Sequence, residues 1–151
     1  MGKRPFHDVG CNATALRKAS RRLTQLYDSA LEPSGLRSTQ FAILVELNMG
    51  SESPPTLAEL AAALVMERSA LGHTLRPLER EGLVDLEPGE DRRQRYVVLT
   101  AKGKAKCKEC IRLWETAQRR FEEVFGRPES AALRATLLGI AYHERLAALK
   151  D

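Results

Sequence analysis

The chain has 151 residues, of which 43% are hydrophobic and 5% aromatic, and it carries a formal charge of +4. That length builds one sizeable core and is too short for two ordinary domains, so residues 1–151 read as a single domain. So few aromatic residues, in a chain dominated by Ala, Leu, Arg and Glu, exclude an all-β architecture and predict packed helices. No stretch approaches the roughly 18 to 20 apolar residues needed to cross a bilayer, and the run Met1–His7 has no apolar core behind its charges. The expectation is a cytoplasmic protein without a membrane partner. Three cysteines, Cys11, Cys107 and Cys110, do not make the even-numbered framework of a secreted disulfide scaffold.

The charge is segregated. From Arg92 to Arg120 there are ten Lys or Arg against the two acids Glu109 and Glu115, whereas from Tyr27 to Leu64 one base, Arg37, faces five acids. A basic block of this kind is either a solvated helix face or a nucleic-acid surface.

In chain order, Leu16, Ala19, Leu23, Leu26 and Ala30 recur at helical spacing and predict a first helix over residues 13–31, stopped by Pro33-Ser34-Gly35. Ser38 is the expected N-cap of a second helix that ends near Met49-Gly50. Ser51–Pro55 is a loop. Thr56 with Glu59 forms a Thr-x-x-Glu capping box that opens a short helix to Leu64. A further helix, 67–81, follows with Leu71, Leu75 and Leu78 on one side, so the pair is a helix-turn-helix candidate. Pro77 predicts a kink in its second member. Gly72 predicts close approach of its backbone to DNA or to a neighbouring helix.

Leu83–Leu86 and Tyr96–Leu99 are short β-favouring runs around a polar tip, Glu87–Arg95, and predict a hairpin. Directly after a helix-turn-helix, a hairpin is a wing. Thr100 caps a long helix, 101–125, about 37 Å in length. Gly126 ends it, and Pro128 begins a last helix running to about Leu149. The fold class is therefore mainly α with a small β-hairpin.

At this point the chain resembles the MarR family of bacterial winged helix-turn-helix transcription regulators. The most specific match is Asp91–Gly103, which resembles the family's Asp-x-Arg wing signature followed by the second wing strand and Leu-Thr-x-x-Gly. The run from Leu57-Ala58-Glu59-Leu60-Ala61 to Gly82-Leu83-Val84 resembles its helix-turn-helix. The resemblance implies a homodimer built from N- and C-terminal dimerisation helices, about 12–32 and 101–149, and a DNA-binding lobe at about 38–100. It implies a repressor of a pseudo-palindromic double-stranded operator, with one helix in the major groove and the wing at the adjacent minor groove. It further implies release by a small-molecule effector.

Within that frame, the exposed side chains of the second helix-turn-helix member, Arg68, Ser69, His73, Thr74 and Arg76, are candidates for base or phosphate contact, and solvated helix side chains are the alternative. The wing arginines Arg92, Arg93 and Arg95 are candidates too, with Arg93 aimed at the minor groove and Asp91 orienting an arginine or fixing the wing. An effector pocket would include Leu16, Arg17, Ser20, Tyr27, Phe41 and Trp114. Arg17 or Arg21 would suit a phenolic or carboxylate effector.

Cys11, at the start of the first helix beside Arg17, Lys18 and Arg21, is a candidate thiolate. It resembles the reactive cysteine of the family's branch that senses organic hydroperoxides, with Tyr27 as the one counterpart of that branch's tyrosines, so a peroxide is a second possible effector. An inert thiol is the alternative. Cys107 and Cys110 would be resolving partners or ordinary helix residues.

Cys107 and Cys110 lack a second pair at zinc-finger spacing, and His7, His73 and His143 are scattered. Phosphate loops, paired catalytic carboxylates and Ser-His-Asp sets are absent from the sequence. The expectation is a regulator, neither an enzyme nor a cofactor binder. A winged-helix module that contacts protein or RNA without reading an operator is the competing class.

Overall fold

The computed structural model describes residues 10–50 and 52–150; residues 1–9, which include the run Met1–His7, and Ser51 and Asp151 lie outside the described residues. The elements are α1 (Asn12–Leu31), α2 (Ser38–Met49), α3 (Leu57–Ala63), α4 (Arg68–Arg80), β1 (Val84–Pro88), β2 (Arg95–Leu99), α5 (Ala101–Phe125), α6 (Arg127–Ala141) and the short α7 (Glu144–Ala147). No helix among the described residues is long and apolar enough to cross a membrane.

The helices end where local chemistry ends them. Gly35, at φ 76°, closes the 3-10 turn Glu32–Ser34 that follows α1. Ser34 Oγ donates to Leu31 O (2.6 Å) and accepts from Leu36 N (3.1 Å), which satisfies a helix-end carbonyl inside the protein. Gly126, at φ 99°, separates α5 from α6. The expected N-cap at Ser38 is displaced by one residue. Arg37 occupies the cap position, and the Ser38 N–H donates instead to Asp28 Oδ1 of α1 at 2.7 Å. A carboxylate ten residues back thus replaces the local hydroxyl.

Leu31, Ile43, Leu44, Leu60, Leu71, Leu75, Leu78, Leu83, Val84 and Val97 form one buried cluster with Cys107 and Cys110. α4 contributes its leucine stripe to that cluster. The helix does not stop at Pro77, whose own carbonyl accepts from Glu81 N at 3.0 Å.

β1 and β2 pair antiparallel with Val84 opposite Leu99 and Pro88 opposite Arg95, so the strands reach further toward the tip than their apolar residues indicate. The hairpin is also anchored sideways. Val97 N donates to Pro55 O at 2.9 Å and Thr56 bridges Tyr96, which lays the start of α3 against the wing.

α1 and α5 run antiparallel, as two contacts define: Tyr27 Oη donates to Gln118 Oε1 (2.6 Å), and Lys106 Nζ donates to Ser34 O (3.2 Å). The expected single helix to Leu149 is interrupted. α6 ends at Ala141, and Tyr142 leaves the helix with its hydroxyl donating to Ala63 O, at the end of α3, at 2.6 Å. That contact, 79 residues apart in the chain, satisfies a carbonyl that α3 leaves open.

Candidate nucleic-acid interface and internal cavities

The helix-turn-helix begins at Thr56, whose Oγ1 accepts from Glu59 N (3.2 Å) while Glu59 Oε2 accepts from Thr56 N (2.8 Å). This reciprocal cap holds the Glu59 carboxyl below the usual carboxylate range. The turn into α4 is tight. Val65 sits there at φ 52°, and Met66 N donates to Ala61 O at 2.8 Å.

On α4 the helical repeat puts Ser69, His73 and Arg76 on the face away from Leu71, Leu75 and Leu78, and all three side chains are exposed. Arg80 shares that face and lines one recess with His73 and Arg76. It was not singled out in the sequence because it lies beyond the first turns. Thr74 departs from the expectation: it falls beside the leucine stripe, half-buried, with its hydroxyl donating back to Ala70 O at 3.0 Å. Gly72 has no heavy atom within 4 Å of the place a Cβ would take. Among the described residues no neighbouring helix needs the glycine, which leaves the open side of α4 as the place where its small size would count.

At the wing tip Asp91 Oδ1 accepts from Arg93 N at 3.0 Å and Asp91 O accepts from Gln94 N at 2.9 Å, while Gly89 N donates to Gln94 O at 3.0 Å. Asp91 therefore fixes the turn that carries Arg93. Arg68, Arg93 and Arg95 then meet with Gln94 and the first residues of α3 around one recess of about 300 Å³, and among the described residues no carboxylate lines it. Arg68 thus lines one volume with two arginines that follow it by 25 and 27 positions in the sequence. Arg92 is exposed at the tip but stands outside the recess. Thr56 and Gln94, which do line it, carry no charge signal in the sequence.

The expected effector residues are divided between two cavities. Tyr27, Phe41 and Trp114 line a cavity of about 540 Å³ between α1, α2 and α5. Leu16, Ser20 and Tyr27 line a second, of about 520 Å³, with Leu133, Leu137 and Ile140 of α6. Tyr27 and Ser38 belong to both. Arg17 lines neither and is exposed. Burial pushes the Tyr27 phenol up, with Arg134 lowering it and Glu122 raising it. Gln118, which accepts from Tyr27, passes a second bond to Glu122 (2.9 Å), and Arg127 pairs with that carboxylate at 3.2 Å.

Cys11 is the N-cap residue of α1 and is partly exposed. Its pKa is lowered first by the Thr14 hydroxyl, which donates to Sγ at 3.1 Å, then by the Thr14 and Ala13 N–H groups, with Arg17 the smallest contribution. Lys18 and Arg21 are not among the causes, so local hydrogen bonding, more than the expected basic cluster, favours the thiolate. Tyr27 lies about 24 Å further along α1 and does not reach Cys11 of the same chain. Nor do Cys107 and Cys110. Both are buried, burial pushes their pKa up, and the antiparallel packing sets them beside the far end of α1.

The MarR family profile matches residues 34–94, from before α2 to the wing tip. An uncharacterized HTH-type transcriptional regulator of Bacillus subtilis, YwoH, is 32% identical over 94 residues, covering 62% of this chain and 67% of its own. The M. tuberculosis transcriptional regulator MosR, solved in complex with DNA, is 33% identical, with a TM-score of 0.81 over 93% of this chain and 99% of its own.

The chain belongs to the MarR family.

Its members are DNA-binding transcription regulators rather than enzymes, and its fold is the family's winged helix-turn-helix. A transcriptional repressor, CouR, solved on a 23-mer DNA duplex, is 26% identical, with a TM-score of 0.81 over 93% of this chain and 99% of its own. For a MarR protein the wing motif acquires a physical meaning here. Asp91 shapes the tip, Arg93 and Arg95 are presented toward Arg68, and Leu99–Gly103 joins the wing to α5.

Proposed function

We propose that this protein is a homodimeric repressor that binds a pseudo-palindromic double-stranded operator through α4 and the wing. The observation that carries this reading is the recess in which Arg68 of α4 meets Arg93 and Arg95 of the wing without a carboxylate. Such a site favours a phosphate backbone and holds the recognition helix and wing in one register on it. Residues 1–151 act as one domain, with a DNA-binding lobe at about 38–100 and dimerisation helices at about 12–32 and 101–149.

Support for the dimer comes from apolar residues exposed on the terminal helices: Leu16 (44%), Phe125 (47%), Leu138 (52%) and Leu149 (76%). A two-fold pairing through them would present two copies of α4 to half-sites about one duplex turn apart. Release by a small molecule in the cavity beside Trp114 is supported by its size and apolar walls. Such a molecule would act by favouring a spacing of the two recognition helices that misses consecutive major grooves. Oxidation of Cys11 by an organic hydroperoxide is a second reading, favoured by its partial exposure and the Thr14 hydrogen bond.

The test is selection of bound genomic fragments by the purified protein, followed by anisotropy titrations over a range of salt. A shared inverted repeat and a steep salt slope are expected. Equal affinity for random duplex or for structured RNA would overturn operator reading, and a monomer in sedimentation at operator-binding concentration would overturn the dimer. Undiminished peroxide-induced release in Cys11→Ser would remove the redox reading.

A further inference from the structure

We propose that the cavity beside Trp114 takes a hydrophobic cation, an apolar or aromatic molecule bearing an ammonium group, in preference to a carboxylate. The inference rests on the reading of this cavity as the effector site and names the class of molecule that fits it.

The walls are mostly apolar, with Leu31, Val45, Leu64 and Ile111 among them, and the volume of about 540 Å³ suits a small organic ligand. In a chain so poor in aromatic residues, the single tryptophan, Trp114, stands here together with Tyr27 and Phe41. Aromatic faces attract a desolvated cation and repel an anion.

The charges around the cavity agree with the rings. Among the described residues, Glu46 is the one acidic or basic residue that lines it; no Lys, Arg or His does. The Cys107 thiol and Tyr27 phenol, both lining residues, are held neutral by burial. Two donors at the wall are already committed, the Tyr27 hydroxyl to Gln118 and the Ser38 N–H to Asp28, which leaves an anion only the neutral Ser38 hydroxyl, Asn48 amide and Trp114 indole, and no cation. Asp28, which accepts from the Ser38 N–H, lines a separate recess. Arg134 acts on the Tyr27 hydroxyl from α6, but Glu122 opposes it there, and neither lines this cavity. The acidic stretch between Tyr27 and Leu64, anomalous in a chain of net charge +4, supplies most of these walls.

The experiment uses three probes that share one apolar body: 4-phenylbutylamine, 4-phenylbutanol and 5-phenylpentanoate. Emission of Trp114, the only tryptophan in the chain, reports occupancy directly. The ammonium probe is expected to bind about three- to tenfold tighter than the alcohol, the scale of a partly exposed charge pair with an aromatic contact, and the carboxylate weakest. Because Glu46 is exposed, Glu46→Gln should leave the fold and the alcohol's affinity unchanged while bringing the ammonium probe to within about twofold of the alcohol. Added salt should weaken only the ammonium probe among the first two.

A carboxylate that binds as well as the alcohol, or an ammonium that binds no better, overturns the charge assignment and leaves the cavity as an effector site. An undiminished ammonium preference in Glu46→Gln overturns the role given to that carboxylate. If none of the three probes alters Trp114 emission in the folded protein, the effector-site reading itself falls.

Discussion

Gly103 lies directly under the carbonyl of Leu83. A Cβ at position 103 would stand 2.6 Å from Leu99 Cδ1 and closer still to Leu83 O. The same joint is held by Thr100, whose Oγ1 lies within donating distance of Gly82 O (2.7 Å) and Leu83 O (3.1 Å) and accepts from Gly103 N (2.9 Å). Lys102 Nζ donates to Glu81 O at 2.6 Å beside it. The Leu-Thr-x-x-Gly run is thus a weld between the end of α4, the first wing strand and the long helix. Gly103→Ala should cost about 1–3 kcal/mol, as overpacking does, and weaken operator binding by displacing the wing. Urea titration followed by Trp114 emission reads the first effect and anisotropy the second; a wild-type midpoint would contradict the clash.

Gly72 allows the opposite combination. A Cβ there meets nothing in the chain, and alanine gains roughly 1 kcal/mol of helix propensity over glycine. Gly72→Ala should therefore raise the melting temperature while weakening operator binding, because the side chain intrudes between α4 and the groove. Raised stability with unchanged affinity would show that DNA does not approach this point.

Arg93 is exposed, and only its backbone N–H is committed, to Asp91. Arg93→Ala should lower operator affinity about tenfold and reduce the salt slope by about one, with the melting temperature unaltered. Asp91→Ala should weaken binding as well, through loss of the turn rather than of a cation. Gel-shift titrations at two salt concentrations distinguish them, since only the arginine variant changes the slope.

The three thiols should separate in reactivity. Cys11 is partly exposed with its pKa lowered by Thr14, whereas Cys107 and Cys110 are buried with theirs raised. Thiolate is the reacting form, so an aromatic disulfide reagent should titrate one thiol in the native protein and all three in denaturant. A lowered pKa means that alkylation of Cys11 rises at a lower pH than for a free thiol. Thr14→Val removes the principal cause and should move that rise to higher pH. An unchanged pH profile would assign the thiolate to another cause.

Much of the fold was legible because its signals are local. The Thr56–Glu59 cap, the leucine stripe of α4, the cap at Thr100 and the stop at Gly126 each act within a few residues. The misplaced cap at Ser38 and the early end of α6 have a common origin. In each, a distant partner, Asp28 or Ala63, satisfies a group that local sequence would have satisfied differently.

By itself the sequence determined the order of elements, the wing motif and the segregation of charge, since periodicity, caps and turns are properties of neighbours along the chain. Tertiary structure alone decided which of those residues meet. Folding of the start of α3 against β2 brings Arg68 to Arg93 and Arg95. Antiparallel packing of α1 on α5 divides the expected pocket at Tyr27 and carries Cys107 and Cys110 away from Cys11. The reason is one of range: hydrogen bonds within a turn are written in adjacent residues, whereas a cavity or a cluster of guanidinium groups exists only where buried surfaces have fixed one element against another.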